Sequence, residues 1–244
     1  MGKFGDTNAT PITSTFGFSA VDMDQLGASE YTLVAVTTDC SGSVAAFRAQ
    51  EEKALGEIVE ACRRSPRADN LLLRLTRFDS KLVEIHGFKP LPDCNPSDYA
   101  GVLPPGGTTA LYDAAVNAVE SVSRYGQDLV DNDFSVNGIV FAITDGADNA
   151  STQRAGDVEK AIERAIRSES LESIVTVLIG VNVQDRGLAK LLADFANDAG
   201  FTQYVELARA DAKTLSRLAA FISKSISSQS QALGTGGPSQ ALTF

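Results

Sequence analysis

The chain has 244 residues, a net charge of −10 at pH 7 and an apolar fraction of 43%. That length accommodates one large α/β domain with a filled core. The acidic balance, with no basic run longer than Arg63-Arg64, excludes the basic footprint that nucleic acid or an anionic membrane requires of a partner.

No run of about eighteen apolar residues occurs, and residues 1–29 lack the apolar core of a signal peptide, so a cytoplasmic protein is expected. Three widely spaced cysteines, Cys40, Cys62 and Cys94, with no CxxC, indicate neither a disulfide framework nor a zinc site. Residues 1–28, rich in Gly, Thr, Ser and Asp with isolated Phe4, Phe16 and Phe18, show no period of 2 or 3.6. They are expected to form an N-terminal arm that packs loosely, folds on a partner or stays disordered.

The run Tyr31 to Thr38 is β-branched and apolar on both faces, as a strand in the middle of a covered sheet must be. It ends in Asp39-Cys40-Ser41-Gly42-Ser43. An acid followed by two hydroxyls at alternate positions offers three oxygen donors at the carboxyl end of a buried strand, the edge where open α/β sheets bind ligands. Oxygen donors select a hard cation, Mg²⁺ first, then Mn²⁺ or Ca²⁺. Cys40, within this loop, is read as a small buried side chain, with a reactive thiol as the other reading.

Val44 to Ser65 follows as an amphipathic helix stopped by Pro66. Asn70–Phe78 and Leu82–Phe88 read as strands, and the three-residue connection between them demands an antiparallel hairpin. The single histidine, His86, lies in the second of these and is read as an ordinary strand residue. A proline-rich stretch from Pro90 to Pro105 precedes Gly106-Gly107-Thr108-Thr109, which opens a helix from Ala110 to about Tyr125. The Gly pair lets the backbone approach a ligand, while the threonine hydroxyls either cap the helix or serve as donors. Asn137 to Thr144 is another buried strand, and it delivers Asp145-Gly146-Ala147-Asp148-Asn149 at its end.

The remaining chain alternates helix 157–168, strand 173–180, helix 184–199, strand 202–207 and a last helix from Asp211 to about Ser228. Such alternation predicts a mostly parallel sheet covered by helices on both faces. Residues 227–244 read as a flexible tail ending in Ala241-Leu242-Thr243-Phe244, either a docking peptide or a tail with no role.

Asp39-x-Ser41-x-Ser43, a Gly-Gly-Thr turn and Asp145-Gly146, in this order and on these elements, resemble the metal-ion-dependent adhesion site of the von Willebrand factor type A (VWA) domain family, over residues 29–226. The resemblance implies a Rossmann-like doubly wound sheet of six strands in the order 3-2-1-4-5-6, with one antiparallel edge strand. It implies metal donors Asp39, Ser41, Ser43, Thr108 and Asp145, with Thr109 as the alternative to Thr108. Gly107, Gly146 and Asp148 would support them, Asp148 either behind Asp145 or as a cap of the segment that follows it. With hydroxyls outnumbering carboxylates, a bound divalent cation is left short of negative charge and open to a Glu or Asp from a protein partner. The expected function is therefore Mg²⁺-dependent protein binding, as an adaptor or assembly module and not an enzyme. Homo-oligomers through the N- or C-terminal arms are a further expectation.

The competing reading is a metal-dependent phosphatase or hydrolase using the same carboxylates. Positions 41 and 43 are Ser where such an enzyme would place a second acid. A serine hydrolase lacks its GxSxG elbow, and no GxxxxGK[ST] or strand-borne GxGxxG supports nucleotide binding.

Overall fold

A computed structural model of the chain describes residues 7–10, 17–233 and 242–244. Eight strands, β1 (Thr7–Thr10), β2 (Phe18–Val21), β3 (Glu30–Asp39), β4 (Leu71–Phe78), β5 (Leu82–Pro90), β6 (Ser135–Thr144), β7 (Ile174–Val181) and β8 (Gln203–Leu207), form one sheet in the order β1-β2-β5-β4-β3-β6-β7-β8. Among the described residues five α-helices cover it: α1 (Arg48–Arg63), α2 (Leu111–Val130), α3 (Ala155–Arg167), α4 (Arg186–Asp198) and α5 (Ala212–Ala232).

β3 shows why the sheet is buried on both sides. Leu33 and Ala35 face one apolar cluster with Leu72, Val140, Leu178 and the stripes of α2, α3 and α4. Val34 and Val36 face a second cluster with Leu73, Phe141, Val177 and the stripes of α1 and α5. Each strand therefore needs apolar residues at successive positions, which is the pattern the sequence shows. β3 lies between β4 and β6, parallel to both. The chain leaves β3 toward β4 and later returns to its other side as β6, which makes the β3/β6 boundary the switch point of the fold.

The six expected strands occur in the expected order, and the 79–81 connection does form the β4–β5 hairpin. The sheet is larger than expected, however, and β5 is not its edge. β2 pairs with β5 through Ala20 and Phe88, and β1 pairs antiparallel with β2. Part of the segment expected as an arm is thus built into the sheet.

Gly87 makes this pairing possible. A Cβ there would lie 2.1 Å from Ser19 O, so any other residue would hold β2 away. Glu84 accepts from the backbone N–H and the hydroxyl of Ser19 and from Arg74 Nε, the last at 2.7 Å. Phe18 packs on Phe88 and Tyr125. A four-residue strand has too few positions for a period to register, so its partners, not its own sequence, determine its conformation.

The other departure is at the end of α5, which runs to Ala232, beyond the expected start of the tail at residue 227. Gln229 is 2% exposed, and its side-chain amide donates to Gly138 O at 3.1 Å and Ser173 Oγ at 3.0 Å, while its backbone carbonyl accepts from Asn137 Nδ2. Ser230 accepts from Arg67 Nε. The last turn is held by side-chain hydrogen bonds to the sheet, which a search for apolar periodicity misses.

Candidate metal site

The candidate donors come from three loops at the carboxyl ends of β3 and β6. Parallel pairing of Thr38 with Ile143 brings Asp39 beside Thr144. Asp39 is buried, and both its oxygens are engaged. Oδ1 accepts from Ser41 N–H at 2.7 Å, and Oδ2 lies 2.8 Å from Thr144 Oγ1. The first bond folds the 39–41 turn back on itself, and Ser41 leads into a short 3-10 helix, Gly42–Ala46, ahead of α1. Ser41 and Ser43 hydroxyls then sit 3.1 Å apart, and Ser43 Oγ donates to Asp145 Oδ1 at 2.8 Å.

The third loop is tied to the first by its backbone. Gly106 N–H donates to Cys40 O at 2.9 Å, and Gly42 N–H approaches Gly107 O at 3.5 Å. Gly107 has φ +68°, in the region that favours glycine, and a Cβ there would press on the Asp79 and Ser80 side chains. The two threonines diverge. Thr108 is exposed, whereas Thr109 is 5% exposed, and its Oγ1 lies 3.6 Å from where a Cβ on Gly146 would be. Thr109 also donates its N–H to Asn149 Oδ1 and accepts from the N–H groups of Asn149 and Ala150.

Neither threonine caps α2. That role belongs to Asp148, whose Oδ2 accepts from Tyr112 N–H at 3.0 Å and from the Ser151 hydroxyl. Asp113 works in the opposite direction, accepting from the N–H groups of Thr152 and Gln153. Together they fasten the 145–153 loop to the start of α2. Asp113 was not singled out from the sequence, where an acid in the first turn of a helix reads as an ordinary dipole partner.

Electrostatically the site is a cluster of acids. Burial, with a contribution from Asp145, pushes Asp39 up to about 6, and burial also raises Asp145. Beneath them Glu51, on α1, accepts from Thr38 Oγ1 at 2.6 Å and is pushed up to about 8 by burial, by Asp39 and by Asp145. In the sequence Glu51 is indistinguishable from Glu52, Glu57 and Glu60, the other acids of the same helix. Among the described residues, no Lys or Arg forms an ion pair with any of the three.

Among the described residues there is no group of three or more His, Cys, Asp and Glu side chains arranged to hold a metal ion. The candidate set is of a different kind, two carboxylates with hydroxyls. Its spacing suits a small hard cation. Octahedral coordination at about 2.0–2.1 Å sets neighbouring oxygens about 2.9 Å apart, and the Ser41–Ser43 and Ser43–Asp145 separations are 3.1 and 2.8 Å. The residues present therefore fit a divalent cation.

Cys40 is buried, and burial with the nearby Asp79 pushes its thiol up to about 12, the behaviour of a packing residue. His86 is enclosed, its Nδ1 against Gly87 O and its Nε2 against Tyr99 Oη, with burial lowering it to about 4. A wide groove of about 890 Å³ between α1, the 96–100 turn and α5 contains none of the candidate donors.

No protein-family model matches the chain, and no curated protein matches it either. Solved structures do. Proximal thread matrix protein 1 from the mussel byssus, in a structure with a zinc-occupied MIDAS motif (the metal-ion-dependent adhesion site), is 18% identical, with a TM-score of 0.56 over 80% of this chain and 46% of that one. The PilB minor pilin from Streptococcus sanguinis is 15% identical, with a TM-score of 0.58 over 86% of this chain and 64% of that one. The pilus adhesin SpaC from Lactobacillus rhamnosus GG is 10% identical, with a TM-score of 0.60 over 92% of this chain and 34% of that one. The fold is VWA-like. This chain spans less than two thirds of each of these proteins. At such identities the likeness is one of architecture, a mixed α/β sheet with helices on both faces.

Proposed function

We propose that this VWA-like domain is a divalent-metal-dependent protein-binding module, using Mg²⁺ as its first choice, that recognises an acidic group on a partner and acts as an adaptor or assembly element. The observation that carries this reading is the convergence of Asp39, Ser41, Ser43 and Asp145 from separate loops at the β3/β6 switch point, with raised carboxyl pKa values and, among the described residues, no ion pair to Lys or Arg. Asp39, Ser41, Ser43 and Asp145 would hold the ion. The buried Thr109 is better placed than the exposed Thr108 to join them. A bound ion would supply positive charge at the rim of the sheet, and a carboxylate is the ligand that such charge favours. That zinc occupies the corresponding motif in the mussel protein supports divalent binding without choosing the metal. Two of the similar structures are pilus proteins, one titled an adhesin, which agrees with a recognition role.

The role of the chain's own residues is pre-organisation. The Ser41 amide and Thr144 hydroxyl hold Asp39 in one orientation, and Gly106 and Gly107 hold the third loop against the first. Asp148 and Asp113 keep the Asp145 loop on α2.

A hydrolase remains the second reading, and this geometry gives it less support. His86, the only imidazole in the sequence, is enclosed by Gly87 and Tyr99 and does not reach the carboxylates as a base. A binding role in the cytoplasm rests on the sequence alone.

The test is affinity capture with the intact chain in Mg²⁺, in EDTA, and as the Ser41→Ala/Ser43→Ala variant in Mg²⁺. A partner retained only in the first condition is expected. Retention in all three sinks the metal-bridged reading, and phosphoester turnover abolished by Asp39→Asn would establish the hydrolase instead.

A further inference from the structure

The strongest feature outside the metal site is on the outer side of α5, where residues 242–244 of the chain lie. Leu242 and Phe244 are half-buried against the second apolar cluster, while Thr243 between them is exposed. This in-out-in pattern is that of an extended peptide seated by alternate side chains. The Phe244 ring meets Phe221 edge-on, with centroids 5.6 Å apart and planes at 79°. The Arg217 guanidinium lies 5.0 Å from the centre of the same ring. Arg217 and Phe221 are one helical turn apart on α5, so an aromatic side chain lying across them is gripped by an edge-to-face contact from one and a cation–π contact from the other.

We propose that the Arg217/Phe221 face of α5 is a recognition site for an apolar peptide of the pattern Leu-x-Phe, and that this chain's own residues 242–244 are its occupant in cis. The inference is independent of the metal site. Chain length allows it. Eight residues separate Leu233 from Leu242, and the nine steps between them extend to about 30 Å. The return from Leu233 to Phe221 along the helix is about 18 Å. The intervening sequence contains Gly234, Gly236 and Gly237, a composition suited to a linker. Residues 227–244 were read from sequence as a tail with or without a docking role, and the packing of Leu242 and Phe244 favours the former.

The chain contains no tryptophan, so Phe244→Trp introduces a single fluorescent reporter at the anchor position without altering Arg217 or Phe221. The expected result is a blue-shifted emission with weak acrylamide quenching, unchanged when the protein is diluted about a hundredfold, since a short tether keeps the segment at roughly millimolar effective concentration whatever the protein concentration. Adding Arg217→Ala, an exposed residue whose loss leaves the core intact, should raise the quenching constant several-fold. So should a synthetic peptide of sequence 239–244 supplied well above the effective concentration. An indole in Phe244→Trp quenched as readily as free N-acetyltryptophanamide would overturn the proposal. Shielding that disappears on dilution would assign the occupant to a second copy and overturn the cis assignment. Shielding indifferent to both Arg217→Ala and the peptide would place the ring elsewhere and refute the site.

Discussion

The Ser43 hydroxyl donates to Asp145 Oδ1 at 2.8 Å although 102 residues separate them. The bond joins the loop after β3 to the loop after β6, alongside the equally short bond from Thr144 to Asp39. Ser41, Asp39 and Thr144 extend it into a continuous hydrogen-bonded chain, with the Ser41 backbone N–H as the link to Asp39.

Divalent metal should stabilise the chain measurably. At a hundred times the dissociation constant the gain is about 2.7 kcal/mol, read as a rise in unfolding midpoint on adding Mg²⁺ or Mn²⁺. Asp39→Asn should abolish that rise while leaving the metal-free chain as stable or more so, because it removes a carboxylate whose pKa is raised to about 6 by burial. The corresponding relief is on the order of 3 kcal/mol at neutral pH. A metal-free Asp39→Asn chain that is strongly destabilised would show that Asp39 has a structural role and would remove the electrostatic argument.

Glu51 makes the metal-free chain sensitive to base. Its folded-state value of about 8 lies above the ordinary 4.5, so the folded chain holds the extra proton and stability falls as pH rises between those values. Between pH 4.5 and 7 the loss is on the order of 3 kcal/mol. In urea titrations across that range Glu51→Gln should flatten the decline, and a variant with the parent's slope would contradict the assignment.

His86 acts with the opposite sign. Its folded value of about 4 is below the ordinary 6.5, so the unfolded chain takes up the proton first and stability is lost as pH falls from 6.5 toward 4, by roughly 3 kcal/mol. The Tyr99 hydroxyl donates to Nε2 in the neutral ring, which has Nδ1–H on Gly87 O. His86→Gln should remove this acid-side loss whether or not metal is present. Persistence of the full loss in that variant would trace it to another group.

Gly87→Ala tests how β2 is held. The added Cβ would meet Ser19 O at 2.1 Å, and overpacking of this kind costs about 1–3 kcal/mol. Hydrogen exchange should show the loss of protection concentrated in residues 18–21 and at their β5 partners. Uniform weakening of the whole sheet would mean that β2 is no separable element.

The contrast between β3 and β2 explains which elements were legible. β3 shows an apolar residue at nearly every position because both its faces are covered, and that pattern is local. β2 depends on a glycine in β5 and an ion pair between β4 and β5, none of which lies near it in sequence. The same holds for the last turn of α5, whose polar Gln229 looks like tail until the sheet end it reaches is known. At the site, Asp39, Ser41, Ser43 and Asp145 could be read from spacing because each follows a recognisable strand. The roles of Thr109, Asp148 and Asp113 could not, since they depend on which backbone groups three loops present to one another.

The sequence by itself determined the layered α/β fold, the order of its six central strands and the position of the oxygen-rich loops. Periodicity and turn chemistry act over a few residues and are written in those residues. Only the tertiary structure decided that part of the N-terminal segment completes the sheet and that residues 227–232 are helix. It also decided that Thr109 is buried against the loop after β6 and that Leu242 and Phe244 pack beside α5. Each of these depends on groups far apart in the chain, and only the closing of the sheet brings them within reach of a hydrogen bond or a ring contact.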